Sequence, residues 1–447
     1  MGDIGATGPS QKYCDRYGEP LARQFMAQGA EGCPRCYDYV LCIPVYDESP
    51  DFIAPLLNSI QADVLVILVF NAPQGSSWTQ VRTEQAFRTL TQSQAPLSWI
   101  RWNYHVDVLA VDCCTSGRQL PLREGVGLAR KIAGDLALVA MVHGKIASPW
   151  IYCTDADVQL PAHYFEAVSP TAMAAAALFP FVHRPLHEPI LQYEIALRYY
   201  VLQLDQVKSP YAFHTIGSSM AIHAQHYAAV RGFPRREAAE DFYILNKLAK
   251  TGLILRLKTE PLVLSSRPSH RVPFGTGAAL NRLRTDPIQR LYHPTTFEIL
   301  GQWLRQMDRL WQERDRVQSL GLEAWWAEHP LDCEAVLPLL LQLGLAKVLK
   351  QAYRQCGDRA HFLYYLQVWF DGFRTLRFIH LLRDWGLPSV PISPLAACDS
   401  PFGSSWCWQG KSLRDICDDL ARQEAQLPIQ IGPRQYLQTP GQSIARG

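Results

Sequence analysis

Two aspartates, Asp155 and Asp157, follow a short apolar stretch in "SPWIYCTDADVQLPAHYF". Residues 151–153 are typical of a buried strand, and Pro161 suits the first turn of a helix. Residues two apart on an extended chain point to the same side, so both carboxylates should lie together at the carboxyl end of a strand. Close carboxylates repel unless a cation separates them, and Mg²⁺ prefers such oxygen ligands. The pair indicates either a divalent-cation site or a solvated polar turn.

A second acidic turn, in "IPVYDES", places Tyr46, Asp47 and Glu48 directly after a predicted strand. A carboxylate at the end of such a strand can accept hydrogen bonds from the edge of a base or a ribose. Acidic residues that cap a turn explain the stretch equally well. Both interpretations stay open at this stage.

The segment "REGVGLARKIAGDLAL" predicts a helix that carries Arg123, Arg130 and Lys131 upstream of the aspartate pair. A guanidinium is suited to a diphosphate or to a carboxylate. Arg130 is therefore predicted to hold a diphosphate, to pair with Asp155, or to lie on a solvated helix face. For Lys131 the solvated face is the prediction.

The segment "VRGFPRREAAEDFYILNKLAKTG" contains a third acidic pair, Glu240 and Asp241. Apolar residues at helical spacing follow the pair, and Gly252 is predicted to cap the helix at its carboxyl end. The helix dipole favours acidic residues at a helix start, which is sufficient reason for Glu240. Asp241 would point into a cleft if the helix begins at the carboxyl edge of the sheet.

The pattern of strands in the sequence predicts a sheet, and the ends of its strands would bring these acidic residues together. The stretches "YVLCIPV", "ADVLVILVFN" and "HVDVLAVD" are predicted strands, and helical segments follow the first and the third of them. This pattern predicts an α/β fold with a mainly parallel sheet flanked by helices. We assign residues 1–37 to an N-terminal extension and 38–280 to this domain. Long helical periods from "FEILGQWLRQM" onward predict a helical C-terminal domain over 281–427. A polar tail covers 428–447.

Composition argues against several classes of protein, among them nucleic-acid-binding, membrane-spanning and disulfide-rich proteins. The chain has 447 residues, of which 48% are hydrophobic and 19% charged, as in ordinary globular proteins. A formal net charge of +2 argues against nucleic-acid binding through a broad basic surface. No window resembles a transmembrane span or a signal peptide, so we expect a cytoplasmic protein, with peripheral membrane contact still compatible. The 12 cysteines are scattered, which favours reduced thiols over a disulfide framework or a zinc site.

The ordered set "IPVYDE", "LARKIAGDLAL", "YCTDADVQLP" and "GFPRREAAEDFYILNKLAKTG" resembles a family 2 type glycosyltransferase with the GT-A fold, over about residues 38–270. The resemblance implies metal-dependent transfer of a sugar from a UDP- or GDP-sugar to an unidentified hydroxyl acceptor. Mn²⁺ or Mg²⁺ would be the cofactor. The Q-x-x-R-W signature and the membrane helices of processive synthases are absent, which favours transfer of a single sugar.

The resemblance assigns roles to the acidic residues at the strand ends. It implies that Asp47, and with it Glu48, binds the nucleotide, and that Asp155 and Asp157 form the D-x-D motif that holds the metal and the donor. Where the family usually has a base-contacting aspartate, this chain has Asn71, which leaves the base open.

The same resemblance implies that Asp241 is the general base of an inverting transfer and that Glu240 assists it. A further metal ligand is commonly supplied by a loop beyond the acidic helix, and "SSRPSHRVPFGTG" offers His270. Arg267 and Arg271 flank this histidine and can hold phosphate. Glycines in the same stretch would let it act as a lid over the nucleotide. A surface histidine in an irregular loop is the competing interpretation.

Three alternatives share this fold. A retaining glycosyltransferase would not need Asp241 as a base. A nucleotidyltransferase that makes sugar nucleotides would need a glycine-rich, basic loop after the first strand. The stretch "IPVYDESPD" contains no glycine, lysine or arginine. A non-catalytic nucleotide-sugar-binding protein would have no use for two intact carboxylate pairs.

Overall fold

The computed structural model describes residues 8–75, 77–269, 275–392, 408 and 410–437. Contacts divide the chain into two units that do not follow the sequence linearly. The first comprises the chain up to Leu186 together with Thr215–Asn281, and the second comprises His187–His214 and the chain from Arg282 onward. The sequence pattern did not separate residues 187–214 from their neighbours.

The strands alternate with helices through the first unit, which confirms the predicted α/β class. In chain order the strands are β1 Tyr39–Val45, β2 Val64–Asn71, β3 Leu97–Arg101, β4 Val106–Cys113, β5 Trp150–Cys153, β6 Ala176–Leu178, β7 Phe181–Arg184, β8 Met220–His223, β9 Ile254–Arg256, β10 Leu262–Ser265, β11 Arg290–Leu291, β12 Val390–Pro391 and β13 Gln430–Ile431. The helices are α1 Pro9–Tyr17, α2 Pro20–Ala27, α3 Ile53–Ser59, α4 Ser77–Thr91, α5 Gly125–Val142, α6 Glu188–Gln206, α7 Ala224–Ala229, α8 Glu240–Thr251, α9 Thr276–Thr285, α10 Pro294–Gln312, α11 Arg314–Leu320, α12 Leu322–Glu328, α13 Val336–Gln342, α14 Leu345–Gln355, α15 Arg359–Trp369, α16 Gly372–Trp385 and α17 Leu413–Ala425.

The central sheet of the first unit is mixed, with a parallel core. Its strands lie in the order β9–β6–β8–β5–β1–β2–β4–β3. Strand β1 is parallel to β2 and β5, and β2 is parallel to β4. Strand β3 runs antiparallel to β4, and β8 runs antiparallel to β5. Strands β2 and β4 are buried along their whole length. The apolar run of β2 predicts this burial, whereas β4 also buries Asp107 and Asp112. The carboxyl ends of β1, β2, β4 and β5 therefore meet at one edge.

The N-terminal extension folds into α1 and α2, which are joined to α5 by buried polar contacts. Asp135 is fully buried and accepts hydrogen bonds from Tyr13 Oη at 2.7 Å and from the backbone N–H of Glu19 at 2.9 Å. Lys131 Nζ donates to the same carboxylate at 3.0 Å. The predicted solvated position for Lys131 is therefore wrong: this lysine is only 6% exposed because a buried aspartate one helical turn away compensates its charge.

The segment after the aspartate pair also departs from expectation. Residues 162–167 form turns instead of the helix that Pro161 suggested. Gln159 exchanges two backbone hydrogen bonds with Val263, at 3.0 and 3.1 Å, so the chain is still extended just before the proline. Tyr152 Oη then donates to the carbonyl of Phe165 at 2.6 Å and holds the turns against the sheet.

The second unit is largely helical, as predicted for the C-terminal region, and has its own aromatic core. Trp303 on α10 is fully buried, with its ring centroid 6.2 Å from that of Trp326 and 5.8 Å from that of Phe370. Helix α6 belongs to this unit. Its Arg198 is paired with Glu194 one turn earlier and with Glu424 of α17.

Candidate active site

A buried arginine links two of the acidic pairs. Arg130 on α5 is 4% exposed, and its Nη2 lies 2.6 Å from Asp155 Oδ1 while its Nε lies 3.0 Å from Glu240 Oε1. Burial alone would lower the pKa of Arg130, but Asp155 and Glu240 outweigh it, and the pKa is raised. Of the predicted alternatives for Arg130, the structure shows the pair with Asp155. The turn after β5 and the start of α8 are thus held to the same guanidinium.

The backbone before β8 closes over this guanidinium. A Cβ atom at Gly217 would lie 2.7 Å from Arg130 Nη2, so only glycine allows this approach. Gly217 also donates its backbone N–H to Asp241 Oδ2 at 3.0 Å. The sequence analysis did not select Gly217, although this glycine lies in "HTIGSSMAIHA", three residues before β8 begins.

Asp241 is held by backbone donors on both oxygens. Gly217 N–H binds Oδ2, and Phe242 N–H binds Oδ1 at 2.7 Å. Burial, followed by the neighbouring Glu240 carboxylate, raises the pKa of Asp241 to about 7, although these backbone donors and Arg130 oppose the rise. The residue as a whole is half-buried. Such a carboxylate can take a proton near neutral pH.

Glu240 is more deeply buried, at 4% exposure. Burial raises its pKa, and the ion pair with Arg130 opposes that rise. Because its carboxylate is engaged by Arg130 and excluded from solvent, Glu240 is placed to fix the site's geometry.

The two aspartates after β5 lie on a turn and keep solvent access. Their side chains are 40% and 27% exposed for Asp155 and Asp157, respectively. Asp155 is paired with Arg130, and Asp157 Oδ2 lies 3.0 Å from Arg267 Nε. The cations beside these carboxylates are thus two arginines.

Asp155 and Asp157 are the accessible carboxylates that a divalent cation could use. Within the described part of the chain, no group of three or more His, Cys, Asp or Glu residues is arranged to hold a metal ion. His270 and Arg271 lie outside the described residues. Two accessible carboxylates fit Mg²⁺ or Mn²⁺ when water and substrate phosphates complete the shell, which is how Mg²⁺ commonly binds at phosphate sites.

Arg267 connects the aspartate pair to the first acidic turn, since its guanidinium contacts both Glu48 and Asp157. Burial would lower the pKa of Arg267, but hydrogen bonding to Glu48 and the charge of Asp157 raise it. The arginine follows β10, which is tied to the turn after β5 by the backbone bonds between Gln159 and Val263. Glu48 is 5% exposed, whereas the Arg267 side chain is 39% exposed and can reach a ligand.

Asp47 is positioned by α4, a helix that the sequence analysis missed. Asp47 has a left-handed backbone with φ of 52°, and its N–H donates to Thr83 Oγ1 at 2.8 Å. Its Oδ1 lies 3.1 Å from Arg82 Nη1. The adjacent Tyr46 is half-buried. The apolar residues of α4 that repeat at helical spacing in "VRTEQAFRTL" are the signal that was available.

Asn71 ends β2 and is 3% exposed. With its amide oriented to donate, Nδ2 lies 3.3 Å from the carbonyl oxygens of Val45 and Val69. Asn71 therefore ties the ends of β1 and β2 together at the edge where the acidic turns lie.

A close backbone contact fixes the loop before α8. Gly127 on α5 donates its N–H to the carbonyl of Arg236 at 3.0 Å. A Cβ atom at Gly127 would lie 2.4 Å from the carbonyl oxygen of Pro234 and 2.6 Å from that of Arg236. The loop that leads to Glu240 can reach α5 only because residue 127 has no side chain.

Replacement of this glycine should therefore be costly. We expect Gly127→Ala to lower the free energy of unfolding by about 1–3 kcal/mol, because both clashing atoms belong to the backbone and cannot rotate away. The measurement is urea denaturation followed by circular dichroism. Gly357→Ala is the matched control, since nothing lies within 4 Å of a Cβ at that position. Equal effects of the two substitutions would contradict the close contact.

Comparison with known proteins gave no assignment: no protein-family model matches the chain, and no curated protein matches it either. Among the described residues, no helix combines the length and the apolar character needed to cross a bilayer.

Proposed function

We propose that this protein is a metal-dependent glycosyltransferase of the family 2 type with a GT-A fold. It would move a single sugar from a UDP- or GDP-sugar to a hydroxyl acceptor, with inversion. The observation that carries the proposal is the pair of ion contacts from Arg130 to Asp155 and to Glu240. These contacts bring the acidic turn after β5 beside the acidic start of α8. Carboxylates for the sugar donor and a carboxylate for the acceptor hydroxyl would then lie in one site.

The nucleotide would bind along the carboxyl edge of the sheet. Asp47, Glu48 and Tyr46 follow β1, and Asn71 ends the neighbouring β2, so the four belong to adjacent parallel strands. Their polar groups suit a base and a ribose. Arg267 would exchange its contacts with Glu48 and Asp157 for the diphosphate, since a guanidinium binds phosphate in the same way as carboxylate.

Asp155 and Asp157 would hold Mn²⁺ or Mg²⁺, and His270 is proposed as a further ligand. Bound there, the ion would act as a Lewis acid that stabilises the charge on the departing diphosphate. The carboxylates themselves orient the donor, and their exposure leaves them accessible to it.

Asp241 would take the proton from the acceptor hydroxyl. Its two backbone hydrogen bonds fix its orientation, and its raised pKa makes it a stronger base than an ordinary aspartate. Glu240 would position Arg130 and, through it, Asp155.

Metal-dependent donor binding tests this proposal. We expect Asp157→Ala to abolish the Mn²⁺-dependent rise in melting temperature that UDP- or GDP-sugars cause in the wild type, because a ligand stabilises only the state that binds it. Glu166→Ala removes a 60% exposed carboxylate from the same region and should leave the shift unchanged. If Asp157→Ala binds nucleotide and Mn²⁺ as tightly as the wild type, the metal assignment is wrong.

The products distinguish the alternatives. Hydrolysis or transfer of the sugar with release of a nucleoside diphosphate supports a glycosyltransferase. Pyrophosphate formed from a nucleoside triphosphate and a sugar phosphate would identify a nucleotidyltransferase. Tight donor binding without turnover in the presence of varied acceptors would favour the non-catalytic protein.

A further inference from the structure

One face of the first unit carries exposed cations that are not neutralised. Arg231 follows α7, Arg236 lies in the loop before α8, and Lys247 lies on α8, all three exposed. None of the three forms an ion pair with a described residue. Arg235, which lies between the two arginines, is paired with the buried Glu19 and so does not add to this set. We call Arg231, Arg236 and Lys247 the basic face.

Aromatic rings support both arginines of the basic face. The guanidinium carbon of Arg231 lies 4.6 Å from the ring centroid of Tyr17, and that of Arg236 lies 3.9 Å from the centroid of Tyr243. Tyr17 is itself 44% exposed. Lys247 stands one helical turn after Tyr243, and residues four apart share a helix face. The basic face thus combines spread cations with tyrosine rings at the protein surface.

The charges of the basic face act on one another. Although Lys247 is exposed as a residue, partial desolvation of its amine, and then the charges of Arg231 and Arg236, lower its pKa. Like charges repel one another, and the described residues supply no ion pair that relieves this repulsion. An external anion would supply the missing countercharge.

We propose that the basic face docks on the surface of an anionic phospholipid bilayer. Exposed arginines and lysines are attracted to anionic lipid headgroups, and tyrosine is favoured where an apolar surface meets water. A nucleic acid fits less well, because the whole chain has a net charge of only +2. A free phosphate ion fits less well too, because the two exposed arginines lie over two separate tyrosine rings, whereas a small anion is held by donors that converge in a recess.

Docking would have a consequence for the neighbouring site. Arg236 belongs to the loop that Gly127 holds against α5, and the same loop leads directly into Glu240 and Asp241. A bilayer bound at the basic face would therefore contact the segment that carries the acidic pair. The binding itself does not rest on the proposed transferase function.

Vesicle co-sedimentation of the full chain tests the proposal. We expect binding to vesicles of phosphatidylcholine mixed with phosphatidylglycerol, little binding to phosphatidylcholine alone, and loss of binding at high salt because charge attraction is screened. The triple variant R231Q/R236Q/K247Q should bind the anionic vesicles on the order of 10²-fold more weakly at low salt, from the loss of three headgroup contacts.

The matched control removes three charges elsewhere. K347Q/K350Q/R354Q neutralises three exposed cations on α14, which also form no ion pair with a described residue, and it should bind like the wild type. Unchanged melting temperatures for both variants show that the fold is retained. Equal losses in the two variants, equal binding to neutral vesicles, or preferential binding of duplex DNA or inorganic polyphosphate would each overturn the proposal. Donor binding is measured separately, so failure of either proposal leaves the other standing.

Discussion

Replacement of Asp241 by asparagine is expected to lower the rate of sugar transfer by about 10²–10⁴-fold while donor binding is maintained. Asparagine keeps the shape of the side chain and can still accept a hydrogen bond from Gly217 or Phe242, but it cannot take a proton. The measurement is the rate at saturating donor, together with the donor affinity from the melting-temperature shift. A fall in rate with unchanged donor affinity would locate the defect in proton transfer.

Glu240→Gln is the matched control for Asp241→Asn. We expect a smaller loss of rate, because Glu240 is engaged by Arg130 and acts through it. The anomeric configuration of the product, measured by NMR, distinguishes an inverting from a retaining transfer. A product that keeps the donor's configuration would remove the need for a base and would make Asp241 a residue that positions the acceptor.

The raised pKa of Asp241 also makes the free energy of unfolding depend on pH. Its folded pKa of about 7 lies above the ordinary value for an aspartate, so the folded state holds more protons than the unfolded state between those two values. The contribution of Asp241 to stability is therefore full at acid pH and is lost as pH rises towards 7. Relative to the wild type, Asp241→Asn should gain stability in urea denaturation as pH rises from about 4 to about 7, the interval between the two pKa values. Transfer by the wild type should increase as pH rises through about 7, where Asp241 loses its proton in the folded state.

Local sequence pattern was sufficient for much of the sheet. Strands β1 and β2 are almost continuous apolar runs, which indicate burial on both faces of the sheet. Helix α8 was predicted with its cap because Gly252 follows the last apolar repeat, and the structure has Gly252 at that C-cap. Once parallel strands are recognised, their carboxyl ends must meet, so strand position alone pointed to Asp47 and Asp155, whereas Asn71 was selected through the family resemblance.

What the sequence pattern missed depends on partners distant in the chain. Lys131 is buried because Tyr13, 118 residues earlier, and Asp135 surround it, and no window along the helix contains that information. Gly217 matters because Arg130 lies against it, and the antiparallel direction of β8 places it there. The position of α6 in the second unit depends on Glu424 of α17, 226 residues away from Arg198. Contacts of this kind follow from the fold and do not predict it.

The largest effect on stability is expected from Arg130→Met. This substitution leaves Glu240 buried without its cation, and breaking a buried ion pair by removing one partner costs about 3–5 kcal/mol of the free energy of unfolding. Asp155 is 40% exposed and can be rehydrated, so Glu240 should account for most of the loss. Arg309→Met removes the cation of an exposed pair with Glu313 and should cost less than about 1 kcal/mol.

Two further measurements separate lost charge compensation from lost packing at Arg130. The pKa of Glu240 is already raised by burial and should rise further without Arg130. The loss in free energy of unfolding caused by Arg130→Met should therefore become smaller as pH falls, because Glu240 then takes up a proton and loses its charge. The double variant R130M/E240L removes both charges and should recover much of the lost stability, because the uncompensated carboxylate is gone. If the loss of stability in Arg130→Met is independent of pH and the double variant does not recover it, Arg130 stabilises the site through its packing contact with Gly217 instead.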